Sequence, residues 1–207
     1  PAVVAIADWQ TAALTAAALT AILAVIVEPV RRPLDSFRGE GQAFRLRNVL
    51  APLALAVRIP GLRRMAICSL IFSAVQIGVA AFMVVYLDNV VGMTLAEAGS
   101  ILAISNACAI AGRILWGWVG SALMPARRLI AYLSAVMAVA AVGMGSLRPE
   151  WSDLTIICVA ILYCISAISW HGLMMAELAR LSPAGQVGPV TGAALACAGA
   201  GMMAYPM

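Results

Sequence analysis

Four polar residues stand inside or at the ends of long apolar stretches, where they are the residues best suited to do chemistry: Gln76, Asn106, Arg113 and His171. A polar group inside a bilayer is costly, so its presence there points to a function. The two amides offer hydrogen-bond donors and acceptors without a charge, the arginine is a permanent cation, and the histidine can take up a proton near neutral pH. This set of side chains suits contact with a small solute that has polar edges.

Each of these residues also has a purely structural interpretation. Gln76 and Asn106 either contact a substrate or bond to a neighbouring helix and hold a bundle together. His171, the only histidine, is either a candidate proton site or an interface residue that bonds to water or backbone. Arg113 either pairs with a carboxylate or helix end at a gate, or binds an anionic substrate. The sequence leaves these alternatives open.

The composition places the chain in a membrane. Hydrophobic residues make up 64% of it and charged residues 11%, with a mean hydropathy of +1.00, whereas soluble domains are nearer a quarter charged. All thirteen basic residues are arginine, mostly in short blocks between apolar runs, which indicates topology rather than nucleic-acid binding. Five cysteines lie inside apolar runs without a C-x-x-C pair, so we predict no metal site and no cofactor.

Six apolar runs are long enough to be membrane helices, because about 20 residues span roughly 30 Å of hydrocarbon. They cover residues 11–27, 65–87, 98–119, 129–147, 154–176 and 187–207. Residues 1–7 are interpreted as the last turns of an earlier helix. Because the sequence starts with neither a methionine nor a basic region, we expect Pro1 to be an internal position of a longer chain. Uninterrupted runs of this length lack the two-residue alternation of a barrel. The predicted fold class is therefore an all-α membrane protein, a polytopic helical bundle.

The connections between the runs predict the topology. Residues 28–64 hold eight arginines, and apolar residues interleaved with them from 44 to 53 indicate either a short interfacial helix or an irregular loop. The connections 28–64, 121–128 and 177–186 hold eleven arginines together, whereas 88–97 and 148–153 hold one. Because arginine favours the cytoplasmic side, we expect the first three connections to be cytoplasmic.

A glycine-arginine pattern precedes the second basic turn. Gly112, Arg113, Leu115, Gly117 and Trp118 form a G-R-x-L-x-G-W sequence, and the order of features around it resembles the second half of a major facilitator superfamily transporter. Further residues carry the resemblance: Arg127, Arg128, Trp170, Gly172, Ala176, Glu177, Ala179, Arg180, Pro183, Gly185, Thr191 and Gly192.

The resemblance implies a domain organisation. Residues 1–27 would hold the end of helix five and helix six, residues 28–64 the cytoplasmic central loop, and residues 65–207 helices seven to eleven. Helices one to four, most of helix five, and helix twelve would be absent from this fragment.

The resemblance also implies a secondary transporter, in which two six-helix halves rock around a site near the bilayer midplane. Gln76 and Asn106 would line that site from this half. The cytoplasmic gate would contain Arg113, Gly117, Ser121, Arg127, Arg128, Glu177 and Arg180. Family members usually carry an acidic residue where this chain has Ser121, so either the copy of the motif in the other half supplies the gate contact, or Arg113 finds another carboxylate, for which Glu177 is the nearest candidate. Glu177 and Arg180, three residues apart, would face each other on one helical turn.

The expected partners are a small-molecule substrate, a coupling proton or ion, the lipid bilayer and the first half of the same chain, but no nucleic acid. The expected location is the bacterial inner membrane, and we predict no enzymatic activity. A membrane-embedded lipid-modifying enzyme is one alternative, although it would need clustered acids, histidines or a metal-binding motif near one face. A non-catalytic membrane subunit or receptor is another, and it would have the same hydropathy.

Overall fold

The computed structural model describes residues 9–35 and 46–205. Within these ranges the chain forms eight α-helices and no strand, so the predicted all-α class is confirmed. The helices are α1 (Trp9–Asp35), α2 (Leu46–Arg58), α3 (Pro60–Asn89), α4 (Leu95–Ala122), α5 (Ala126–Gly145), α6 (Asp153–Ile168), α7 (His171–Leu181) and α8 (Val187–Ala204). The helix end predicted at residues 1–7, and residues 36–45 of the predicted loop, lie outside the described residues.

Five stretches of the described chain are long and apolar enough to cross a membrane: α3, α4, α5, the pair α6–α7, and α8. At 1.5 Å per residue, the 30 residues of α3 measure about 45 Å, more than the roughly 30 Å of hydrocarbon. The predicted multi-pass helical membrane protein is therefore confirmed. Helix α1 contains a shorter apolar segment, Ala13–Pro29, and belongs to a separate compact unit, residues 1–45. Helices α2 to α8 form the other unit, which holds the residues discussed below.

Local signals in the sequence set where the helices begin. Helix α3 begins at Pro60 rather than at Met65, because proline lacks the N–H that a first helical position leaves unpaired. Arg63 and Arg64, assigned to a loop from sequence, therefore lie in the first turns of α3, where both are exposed. Helix α4 begins with a capping box, in which the Thr94 side chain accepts a hydrogen bond from the backbone N–H of Glu97 and the Glu97 carboxylate accepts one from the backbone N–H of Thr94.

Small residues allow the helices to approach closely. The Gly201 backbone in α8 lies directly against the carbonyl oxygen of Leu70 in α3, so a Cβ at position 201 would collide with it. A Cβ at Gly78 would likewise collide, in this case with the ring of Tyr205. Such approaches are a common basis of helix association in membranes.

The segment 46–58 is a helix rather than an irregular loop. Helix α2 packs against α3 and α8, with Ala56 buried and Leu53 and Leu55 against the core. It thereby attaches the beginning of α3 to the rest of the bundle.

Candidate functional site on α4 and the broken helix

Helix α4 carries four of the residues singled out from sequence on its exposed side. Asn106, Arg113, Gly117 and Ser121 recur at spacings of seven, four and four residues, which places them along one side of a helix, and all four are exposed. We call these four residues the α4 stripe. A different side of α4 is buried through Ala98, Ile101, Ser105, Ala109 and Gly112.

The α4 stripe places an amide and a cation on the same exposed side of one helix. Asn106 and Arg113 are seven residues apart, which is about 10 Å along the helix axis. Around them stand exposed apolar side chains, including Ile110 at 62% and Ile114 at 74% exposure. Arg113 has no carboxylate within ion-pair distance among the described residues.

The long span that includes His171 is broken in two. Helix α6 ends at Ile168 and α7 begins at His171, with Ser169 between them at φ −89° and ψ 3°. An Arg113 guanidinium nitrogen, Nη2, donates a hydrogen bond to the carbonyl oxygen of Ile168 at 3.4 Å. The carbonyl end of a helix carries a partial negative charge and so favours a cation.

A second hydrogen bond joins α4 to this break. The Ser169 hydroxyl, in a residue only 2% exposed, donates to the carbonyl oxygen of Ala109 at 2.8 Å. Between these two bonds lies Gly112, where an added Cβ would stand 3.0 Å from the Ser169 hydroxyl oxygen and 3.1 Å from Cγ2 of Ile165. Helix α4 and the end of α6 therefore touch over one full turn of each.

His171 is held by aromatic stacking. The centroid of its ring lies 4.0 Å from that of Trp170 at an interplanar angle of 24°. The Trp170 ring centroid in turn lies 5.3 Å from that of Phe72 in α3. Trp170 Nε1 and His171 Nδ1 are buried and have no hydrogen-bond partner among the described residues. The histidine thus lies directly after the break, three residues after Ile168, which accepts the hydrogen bond from Arg113.

Glu177 and Arg180 face each other on α7. Arg180 donates through Nη2 to Oε1 of Glu177 at 2.6 Å and through Nε to Oε2 at 2.8 Å. The carboxylate belongs to a residue 2% exposed, and the arginine side chain is 62% exposed. Both oxygens of Glu177 are therefore engaged by Arg180, and Arg113 bonds to Ile168 instead of to this carboxylate.

The remaining residues predicted from sequence lie apart from the α4 stripe. Gln76 is half-buried on α3, with its Oε1 buried and unpaired among the described residues. Arg127 and Arg128 begin α5 and are exposed, and Arg127 is close enough to Glu177 to interact with it electrostatically. No described hydrogen bond or ion pair links Gln76 to Asn106 or to Arg113.

Two cavities occur elsewhere in the described part of the chain. One, of about 540 Å³, lies between the beginnings of α4 and α6 and is lined by Glu97 and Asp153 among apolar residues. The other, of about 180 Å³, is lined by Tyr86, Tyr163 and Tyr205. Neither contains a residue that the sequence singled out for substrate binding, so the candidate site is an exposed stripe rather than an enclosed pocket. Within the described ranges no group of three or more metal-ligating side chains is arranged to hold a metal ion.

Sequence reasoning did not single out Ser169 or the Ile168 carbonyl. The contact between Arg113 and Ile168 spans 55 positions of the chain, and the dipeptide Ser169–Trp170 contains neither proline nor glycine to mark a break. The available signal was indirect, because a glycine directly before the arginine favours a close helix approach.

The family model described as Major Facilitator Superfamily matches residues 1–206. Two curated relatives are each named "Probable nitrate/nitrite transporter NarK2", from Mycobacterium tuberculosis strains CDC 1551 / Oshkosh and ATCC 25618 / H37Rv. The chain is 29% identical to each over 194 residues, which cover 93% of this chain and 47% of the relative. The chain thus spans about half the length of the curated relatives it matches. No solved structure matches significantly.

Proposed function

Because the chain belongs to the Major Facilitator Superfamily, we propose that its full-length protein is a secondary transporter that moves a small anion across a membrane by alternating access. The observation that carries this proposal is the exposed guanidinium of Arg113 in a membrane-length helix, on the same side as the Asn106 amide. A permanent cation in a membrane helix is costly, so its presence supports a function.

The size and charge of the substrate follow from the side chains that would bind it. A planar guanidinium recognises the oxygens of a small oxyanion through paired hydrogen bonds, and an amide such as Asn106 can add a donor without a second charge. The curated relatives are named as nitrate/nitrite transporters, and both named ions have this chemistry. Nitrate and nitrite are therefore the first substrates to test.

The other half of the protein is proposed to cover the α4 stripe. In that arrangement Asn106 and Arg113 contact the anion, and the residues that follow Arg113 on the cytoplasmic side close the path. That gate would include Gly117, Ser121, Arg127, Arg128, Glu177 and Arg180. The sequence alone favoured Arg113 as a gate residue, and its exposed position on the same side of α4 as Asn106 supports assigning it to the anion instead. We propose the bacterial inner membrane as the location and keep His171 as the candidate proton site.

The test is anion uptake by the full-length protein in liposomes. Arg113→Gln keeps a polar side chain but removes the charge, so we expect the KM for nitrate or nitrite to rise at least about tenfold, since hydrogen bonds to charged groups contribute roughly 1.5–3 kcal/mol. Arg113→Lys should retain part of the affinity, because lysine keeps the charge but loses the planar fork.

Arg148→Gln is the matched control, because Arg148 is exposed and lies in the connection between α5 and α6, away from the α4 stripe. It should transport as the parent does. Unchanged kinetics in Arg113→Gln would overturn the role of Arg113. Uptake of a neutral or cationic solute, with no uptake of either anion, would overturn the proposed substrate class.

A further inference from the structure

We propose that Ser169 is a positioning residue for Arg113: its hydroxyl holds the break between α6 and α7 against α4 and so fixes where the Arg113 guanidinium lies. In its consequence for transport this inference rests on the proposed function of Arg113. Its structural part can be tested without any substrate.

The hydrogen bond of Ser169 crosses from one helix to another. Most serine hydroxyls on the described helices donate to a carbonyl of their own helix, as Ser134 does to Ile130 and Ser166 to Leu162. Ser169 instead donates to Ala109 of α4 at 2.8 Å, in a buried position. A buried bond of this kind ties the two helices together at one point, because leaving either partner unpaired is costly.

Gly112 leaves room for this bond. Position 112 is buried on the side of α4 that faces the break, and a Cβ there would meet the Ser169 hydroxyl oxygen at 3.0 Å. That separation is tighter than ordinary van der Waals contact, so with a side chain at 112 the Ser169 hydroxyl would have to shift by a few tenths of an ångström. The glycine and the serine therefore form one close contact.

Arg113 bonds to the same turn that Ser169 holds. Its Nη2 reaches the carbonyl oxygen of Ile168, the residue directly before Ser169, at 3.4 Å. Because these two residues are adjacent, a shift of the Ser169 anchor also moves the carbonyl that Arg113 contacts. The guanidinium of an exposed, flexible side chain would then lose its one described hydrogen bond, and its orientation on the α4 stripe would no longer be fixed.

A positioning role predicts a particular split in the kinetics. Ser169→Ala leaves the charge and the side chain of Arg113 in place, but it frees the direction in which the guanidinium points. We expect the KM for the transported anion to rise about three- to tenfold, which is the loss of one ordinary hydrogen bond, while the maximal rate stays within about twofold. Ser169→Cys, nearly the same shape but with a weak S–H donor, should fall between the parent and Ser169→Ala.

Hydrogen–deuterium exchange of the full-length protein gives a readout that does not depend on transport. In Ser169→Ala the backbone amides of residues 163–172 should exchange faster than in the parent, because the end of α6 is no longer tied to α4. Ser166→Ala is the matched control. Ser166 is equally buried, but its hydroxyl bonds within α6, to Leu162 and Tyr163 at 2.9 Å, so neither KM nor the exchange across the break should change as in Ser169→Ala.

The outcomes separate this inference from the proposed function. Unchanged exchange in Ser169→Ala, or an equal change in Ser166→Ala, overturns the anchoring role of Ser169 whatever the substrate is. Faster exchange with an unchanged anion KM overturns the link to Arg113. If Arg113→Gln itself leaves anion transport intact, the proposed function fails, and the exchange result still decides whether Ser169 anchors the break. If Ser169→Ala does not yield folded protein, Ser169→Cys is measured in its place against the same control.

Discussion

At the level of single residues, the Gln76 amide lies half-buried on α3 with its Oε1 buried and unpaired among the described residues. The structural alternative to a substrate contact is that the Gln76 amide joins two helices, which would require a hydrogen bond to a neighbouring helix. The described residues supply no such bond to this oxygen. The buried acceptor therefore costs stability, roughly 1–3 kcal/mol for a group of this kind, unless something other than the described side chains satisfies it.

This cost predicts opposite effects on stability and on transport. In Gln76→Leu the unpaired amide is replaced by an apolar side chain of similar size, so we expect the thermal midpoint of the purified full-length protein to stay the same or rise. If Gln76 contacts the substrate, the same variant should show a higher KM for it. Both are measured on one preparation, by thermal unfolding and by liposome uptake.

Gln186→Leu provides the control for this substitution. Gln186 is exposed at the beginning of α8 and makes no side-chain capping bond, so removing its amide should change neither measurement. A clear loss of stability in Gln76→Leu would show that the amide is paired and acts as a structural link. An unchanged KM would remove Gln76 from the substrate contacts.

At the level of elements, five of the six predicted membrane spans correspond to membrane-length stretches of the described chain, because hydropathy alone locates them. The break between α6 and α7 inside one of these spans was not predicted. The residues at which helices begin were harder to predict from sequence. Arg63 and Arg64 were assigned to the loop before α3, yet they lie in its first turns, since an arginine stem can follow an apolar helix while its head stays in water. Charge density therefore marked the membrane surface, and Pro60 marked the helix boundary.

The candidate site could be predicted only in part for a related reason. The spacing of Asn106, Arg113 and Gly117 along α4 is local information, so their common face follows from helix geometry. The partner of Arg113 is not local. Glu177 was the expected partner by depth, but its two oxygens are taken by Arg180 on the same turn. The break that offers a carbonyl to Arg113 instead arises from packing between helices.

Two glycines of α4 should respond differently to the same substitution. In Gly112→Ala the new Cβ would lie 3.0 Å from the Ser169 hydroxyl oxygen, and overpacking of this kind costs about 1–3 kcal/mol. That cost exceeds or cancels the roughly 1 kcal/mol that alanine gains over glycine in a helix. We therefore expect a lower or unchanged thermal midpoint for Gly112→Ala.

Gly117→Ala is the matched control on the same helix, because nothing lies within 4 Å of a Cβ at position 117. Only the gain in helix propensity applies there, so the thermal midpoint of Gly117→Ala should rise or stay the same. A midpoint for Gly112→Ala above that of Gly117→Ala would contradict the close packing of α4 against the break. The comparison uses purified full-length protein in one detergent.

At the level of the whole molecule, the charges of the unit that holds α2 to α8 are segregated by end. The beginning of α3 and the end of α7 lie at the same end, since Gly61 contacts Leu181. Arginines at or next to this end are Arg58, Arg63, Arg64, Arg127, Arg128 and Arg180, and the one carboxylate among its described residues is Glu177. At or next to the other end lie Asp88, Glu97, Glu150 and Asp153, with Arg148. This asymmetry is what the positive-inside rule describes.

The charge asymmetry predicts the orientation of the protein in its membrane. In a full-length variant without its native cysteines, a single cysteine is placed at one exposed position at a time. Glu150→Cys should react with a membrane-impermeant maleimide added to right-side-out vesicles, because the arginine-poor end faces outward. Ala122→Cys, at the exposed end of α4 just before the turn that leads to Arg127 and Arg128, should react only after the vesicles are opened. Ala122→Cys keeps every arginine in place, so the label reports the topology without altering the charges that determine it. Labelling of Ala122→Cys in sealed vesicles, together with protection of Glu150→Cys, would contradict this orientation and place Arg127 and Arg128 of the proposed gate on the outer surface.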